Sequence, residues 1–229
     1  MSILNDMVYF SLFFAELLIL FLLSRQLSTA ISQFVYGLTK SRTFTISTLA
    51  FLFFPGTAIH ELSHALSAGL LGVHVGEIEF VPQVEGEHVK LGSVQIAHTD
   101  PIRRFLIGSA PLIFGTAILL GILFYAVQNK WFDNTFLLIL IGYAVFEIGN
   151  TMFSSRKDME GAFELFGTII FVIIVLYFLG VRVTFLNPNV ILSQPVIREV
   201  FQRGSLFLLI PLAIDLIVIL LFRPLRKKF

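Results

Sequence analysis

The 229-residue chain contains no cysteine. That absence excludes disulfides, thiolate metal ligands and a thiol nucleophile together. Charge is scarce as well: 14% of residues are Asp, Glu, Lys or Arg, and the formal net charge is +1. With neither a basic stripe nor a nucleic-acid motif, no nucleic-acid partner is expected. Long linkers, low-complexity tracts and internal repeats are also lacking, so residues 1–229 are expected to form one domain.

What the chain has instead is apolar length. Hydrophobic residues make up 56% of it, with 26 Phe. Crossing a hydrocarbon core takes about 20 residues of helix. Runs near or beyond that length cover 8–24, 43–71, 105–127, 136–153, 162–180 and 206–222. Six such runs exceed what one soluble core of this size can bury. The expected fold class is therefore an all-α polytopic membrane protein with about six transmembrane helices, a multi-pass integral protein in a lipid bilayer. Residues 1–6 carry an acid and no Lys or Arg, and no small-residue cleavage site follows, so the first run is expected to be a retained helix.

Two polar insertions interrupt the apolar pattern. Residues 73–100, after the second run, place apolar residues in near-alternation at Val73 and Val75, Ile78 and Phe80, and Val94 and Ile96. Pro82 and Gly86 separate the two halves, which predicts a small β-hairpin at the membrane surface. Residues 181–204 contain Asn187-Pro188 and Gln194-Pro195 and predict an irregular loop.

Chemistry concentrates in one stretch, Phe54-Pro55-Gly56-Thr57-Ala58-Ile59-His60-Glu61-Leu62-Ser63-His64-Ala65. Helical residues four apart share a face, so His60 and His64 can offer two imidazoles to one ion. Glu61 lies about 100° round from His60, within reach of a water on that ion. Zinc hydrolases need this set: neutral nitrogen ligands, an open position for water and a carboxylate to take its proton. Ionisable groups at the centre of a membrane helix cost roughly 2.5–3.5 kcal/mol each on insertion scales, so three within five residues call for a compensating partner.

Two histidines do not complete a catalytic zinc site. Candidates for a third ligand are His74, His88 and His98 in the hairpin region, and Glu16, Glu147, Asp158, Glu164 and Asp215. If the runs alternate across the bilayer, the segment ending the fourth run returns to the depth of the His pair. Depth therefore favours Asp158 and Glu164 together. The loop histidines read more simply as surface residues, and Glu16 and Asp215 as partners in interhelical hydrogen bonds. Glu147, one turn before Asn150, reads as a support for the ligands or as a partner of a neighbouring helix.

His60-Glu61-Leu62-Ser63-His64-Ala65-Leu66, followed by Gly69-Leu70-Leu71-Gly72-Val73, resembles the zinc helix of the site-2 protease family of intramembrane metalloproteases. That family carries a second motif, Asn-x-x-Pro-x-x-x-x-Asp-Gly, whose Asp is the third zinc ligand. Asn150 and Asp158 stand at the same separation, with Phe153 in place of the Pro and Met159 in place of the Gly. Gly108-Ser109-Ala110-Pro111-Leu112 is similar to the family's Gly-Pro segment, where small residues let helices approach. The resemblance covers residues 43–161 and makes them a protease core that includes the 73–100 insertion. The insertion then corresponds to the family's membrane-associated β-element, whose edge can hold an unwound substrate by strand addition. No PDZ or nucleotide-binding module follows, which implies a minimal member.

The resemblance implies a Zn2+ cofactor held by His60, His64 and Asp158, with Glu61 as proton shuttle and Asn150 fixing the substrate backbone. It further implies hydrolysis of transmembrane or membrane-proximal peptides by a zinc-dependent metalloendopeptidase of the cell membrane, with its active site towards the cytoplasmic side. Six crossings put both termini on that side too, in line with a small excess of Lys and Arg there. Competing readings are a prenyl-protein protease, whose distal ligand is Glu, and a non-proteolytic metal-binding scaffold or transporter. The Asn150–Asp158 spacing disfavours the first, and an intact Glu61 disfavours the second.

Overall fold

The computed structural model describes residues 3–80, 83–85, 88–153, 158 and 194–222, with helical positions at 167, 170, 171, 174, 175 and 178. It is an all-α membrane protein with a small β insertion. The described elements are α1 (Ile3–Thr39), α2 (Arg42–Leu52), α3 (Phe54–Leu70), β1 (Val75–Glu79), β2 (Gln83–Glu85), β3 (His88–Lys90), β4 (Ser93–Ile96), α4 (Pro101–Gln128), α5 (Thr135–Thr151) and α6 (Pro195–Phe222). Helices α1, α4 and α6 are each long and apolar enough to cross a membrane, and α2 with α3 passes that test as a bent pair. Outward-facing Phe51, Phe136 and Ile139 suit contact with lipid. The expected fifth run, 162–180, lies mostly outside the described residues. Of the expected loop 181–204, residues 195–204 belong to α6, and 181–193 lie outside the described residues.

The run 43–71 is two helices meeting at 67°, where one was expected. Phe53 sits at the junction with φ −96° and ψ 9°. Pro55 offers no N–H to the carbonyl of Phe51, so the helical ladder breaks there and restarts as α3. Ser41 begins α2 by accepting the Phe44 N–H. Asp100 begins α4 by accepting those of Ile102 and Arg103. The Arg103 N–H bond holds the Asp100 carboxyl below the ordinary carboxylate range.

Strand β1 pairs with β4 and β2 with β3, both antiparallel, as one nested hairpin with an irregularity between Val75 and Ile78. Pro82 and Gly86 fall outside the described residues. This hairpin lies along α3. At its base Val73, Val75 and Ile96 pack with Ala68 of α3 and Ile107 of α4. Further along, Phe80 meets the Phe54 ring and Leu91 packs against the cluster of Leu27, Ile31, Phe53 and Phe146. The stretch of α3 from Phe54 to Ala68 that it follows is roughly 20 Å long.

Helices α4 and α5 close on each other where Gly115 faces Met152. Leu20, Leu119, Leu123, Val145 and Ile148 form the core between them and α1. Helices α1 and α6 run parallel: Phe13 lies 5.2 Å from Phe201, and Phe34 lies 4.7 Å from Phe222. Phe13, Leu20 and Leu27 recur at every seventh residue of α1, as do Phe201, Leu208, Asp215 and Phe222 of α6. That is the period of a parallel knobs-into-holes pair.

Candidate metal centre

Helix α3 carries His60, Glu61 and His64, and α5 fixes where it starts. Phe53, before the first turn, makes no side-chain cap. Instead Glu147 Oε2 accepts the Gly56 N–H across 3.2 Å, a carboxylate at the positive end of the helix dipole. The contact is close. A Cβ on Gly56 would lie 2.8 Å from the Glu147 carbonyl oxygen and overlap the Thr151 hydroxyl. Only glycine lets the two backbones meet here.

Both imidazoles are oriented by main-chain carbonyls. His60 Nδ1 lies 2.6 Å from the Thr151 carbonyl oxygen, and His64 Nδ1 lies 2.8 Å from that of Ile107. A carbonyl only accepts, so each Nδ1 carries the proton and each Nε2 presents a lone pair. Those two Nε2 atoms face each other at 3.2 Å. Two acceptors at that distance repel unless a cation lies between them.

The third donor is Asp158. Its carboxylate oxygens lie 3.8 Å from His60 Nε2 and 3.5 Å from His64 Nε2. The three ligand atoms fall within 4.8 Å of one another, and no other such cluster occurs among the described residues. Two atoms each 2.0–2.1 Å from a tetrahedral zinc are about 3.3 Å apart, so two nitrogens at 3.2 Å already suit the ion. The donor chemistry fits as well: two neutral imidazoles, each with its second nitrogen bonded to a carbonyl, and one carboxylate. Asp158 reaches this position over α4. A Cβ on Gly108 would run into the Asp158 carbonyl oxygen, so the glycine makes room for the main chain of the ligand.

Glu61 is buried on α3, close enough for its charge to act on His64. The segment between β3 and β4 covers it: a Cβ on Gly92 would lie 3.1 Å from Glu61 Cγ and 2.7 Å from Thr57 Cγ2. Asn150 is drawn elsewhere. Its amide N–H groups go to the Phe146 carbonyl at 2.9 Å and to Asp215 Oδ1 at 2.8 Å. Its amide oxygen is buried with no partner among the described residues. Glu147, open to two readings from sequence, bonds to the α3 backbone at Gly56. Asp215 makes the interhelical bond expected of it. His74 and His98 are exposed and apart from the cluster. The Glu164 and His88 side chains lie outside the described residues. Gly56, Gly92 and the carbonyls of Ile107 and Thr151 are contributors that the sequence reading did not name, whereas Gly108 was expected as a point of close approach and admits the Asp158 main chain. Carbonyls have no letter of their own, but a glycine four residues before the first ligand histidine was a visible sign of close approach. Compared with protein-family models, with curated proteins and with solved structures, the chain matches none.

Proposed function

We propose that this protein is an intramembrane zinc metallopeptidase of the site-2 protease type, cleaving transmembrane or membrane-proximal peptides. One observation carries the reading: two Nε2 lone pairs and a carboxylate converge on one point beside a buried Glu, within apolar helices. Zinc bound by His60, His64 and Asp158 would supply a Lewis acid and lower the pKa of a bound water from 15.7 towards about 7. Glu61 takes the proton of the attacking water and returns it to the leaving amine. Asn150, with both N–H groups engaged, could meet a substrate backbone N–H only through its amide oxygen, which is buried here. The hairpin lying along α3 offers an edge on which an unwound substrate can pair.

Among the described residues, five crossings by α1, the α2–α3 pair, α4, α5 and α6 agree with the parallel run of α1 and α6, whereas a sixth crossing by residues 162–180 would set the first and last helices antiparallel. In this arrangement cysteines introduced at Gly86 and Lys228 are labelled from opposite sides of the membrane. Labelling from one side would restore the six-crossing thread. The activity itself is tested by reconstituting the purified protein with transmembrane peptides. Cleavage should stop on chelation and return with zinc; cleavage indifferent to chelation would exclude a metallopeptidase.

A further inference from the structure

Helix α4 contains an internal, buried proline, Pro111, with helix continuing on both sides. A residue at this position in an α-helix donates its N–H to the carbonyl four residues earlier, here that of Ile107. Proline has no N–H. The Ile107 carbonyl is therefore released from the helical ladder, and it is this carbonyl that lies 2.8 Å from His64 Nδ1. The other imidazole is served in the same manner by different means. His60 Nδ1 bonds to the carbonyl of Thr151, the last residue of α5 and one of the terminal carbonyls that find no partner within their own helix. Each ligand thus leans on a carbonyl that its own helix does not use.

We propose that Pro111 is a positioning residue of the metal centre: by withholding an N–H it frees the Ile107 carbonyl to orient His64 and fix its tautomer. The inference rests on the metal-site reading above. Gly108 belongs to the same device, since it admits the Asp158 main chain one residue beyond Ile107. One turn of α4 thereby serves two of the three donors. Pro211 of α6 is an internal, buried proline as well. The carbonyl it releases, that of Phe207, belongs to a helix that supplies no donor to the cluster, which makes it the natural control.

The test is zinc affinity of the full-length protein, measured by competition with a chelator of known affinity, together with the melting temperature of the zinc-free protein. Pro111→Ala restores the N–H that competes for the Ile107 carbonyl. Loss of an outer hydrogen-bond partner typically weakens metal binding about 10–100-fold. That loss is expected for Pro111→Ala, with the zinc-free melting temperature held or raised, because alanine favours the helix interior. Pro211→Ala should leave zinc affinity unchanged. A backbone ester at position 111, made by incorporating lactic acid, lacks both the N–H and the ring and should bind zinc like the parent. Equal affinity of Pro111→Ala and the parent would overturn the proposal. So would an ester variant as weak as Pro111→Ala, or a matching loss in Pro211→Ala. A parent that binds no zinc would remove the metal-site reading itself, a result distinct from the other three.

Discussion

Two parts of this bundle bury polar side chains, and they use them differently. In the α1–α6 pair, Ser24 and Ser205 return their hydroxyls to carbonyls of their own helices, at Phe21 and Gln202. Glu16 leaves Oε2 without a partner among the described residues, and Asp215, 0% exposed, bonds sideways to Asn150. None of these groups converges with another on a common point. Around α3, Ser63 also bonds within its own helix, to Ile59, but Gly56 is held by Glu147, His60 by Thr151 and His64 by Ile107, each from another helix. What remains free on the imidazoles then points one way, towards Asp158. Burial of charge alone does not mark a site in a membrane bundle; convergence of oriented lone pairs does.

The contrast can be broken most severely at the histidines. His60→Ala and His64→Ala should each lose bound zinc and hydrolysis together, read by metal analysis and peptide cleavage on the same preparations. A variant that kept both would dissolve the distinction between the two regions. Next come the two aspartates. Asp158→Ala should bind zinc far more weakly than the parent, whereas Asp215→Ala should retain parental zinc affinity despite its deeper burial. The reverse order would move the site to α6.

A smaller effect is expected where the hairpin meets α3. Gly92→Ala brings a methyl to within 2.7 Å of Thr57 Cγ2. Overpacking of this kind costs about 1–3 kcal/mol. Zinc content should stay near one per chain while stability falls, and Thr57→Ser, which deletes the opposing methyl, should recover part of the loss. No recovery in the double variant would mean that the hairpin is seated by something else. The smallest effect belongs to Asp100. Its carboxyl titrates below the ordinary range when folded, so its contribution is present above the unfolded pKa and fades as pH falls through the folded one. Asp100→Ala should therefore lower the melting temperature slightly at neutral pH and leave it unchanged in strong acid.

Much of this arrangement could be read in the sequence, for a physical reason. Helical periodicity puts His60 and His64 on one face regardless of what surrounds them, and apolar length marks α1, α4 and α6 as membrane helices. Alternation of Val73, Val75, Val94 and Ile96 gave the hairpin. Threading the runs back and forth correctly brought the end of α5 to the level of the His pair, where the Thr151 carbonyl meets His60. Other features depend on partners distant in the chain. The bend at Phe53 followed from Pro55 yet was submerged in a continuous apolar run. The hairpin's course along α3 depends on Gly92 meeting Thr57 and Glu61. The parallel pairing of α1 and α6 becomes visible only when Phe13 and Phe201 are seen together. Asn150 is the sharpest case: its spacing to Asp158 pointed to the metal, while its side chain is held by Asp215.

The central claim is that a metal held by His60, His64 and Asp158 serves a proton transfer through Glu61. Glu61→Gln tests it most directly, because the substitution removes the base and keeps the size. Zinc content and cleavage of a reconstituted transmembrane peptide should be measured on one preparation. The account predicts zinc near one per chain with hydrolysis abolished; turnover retained in Glu61→Gln would contradict it.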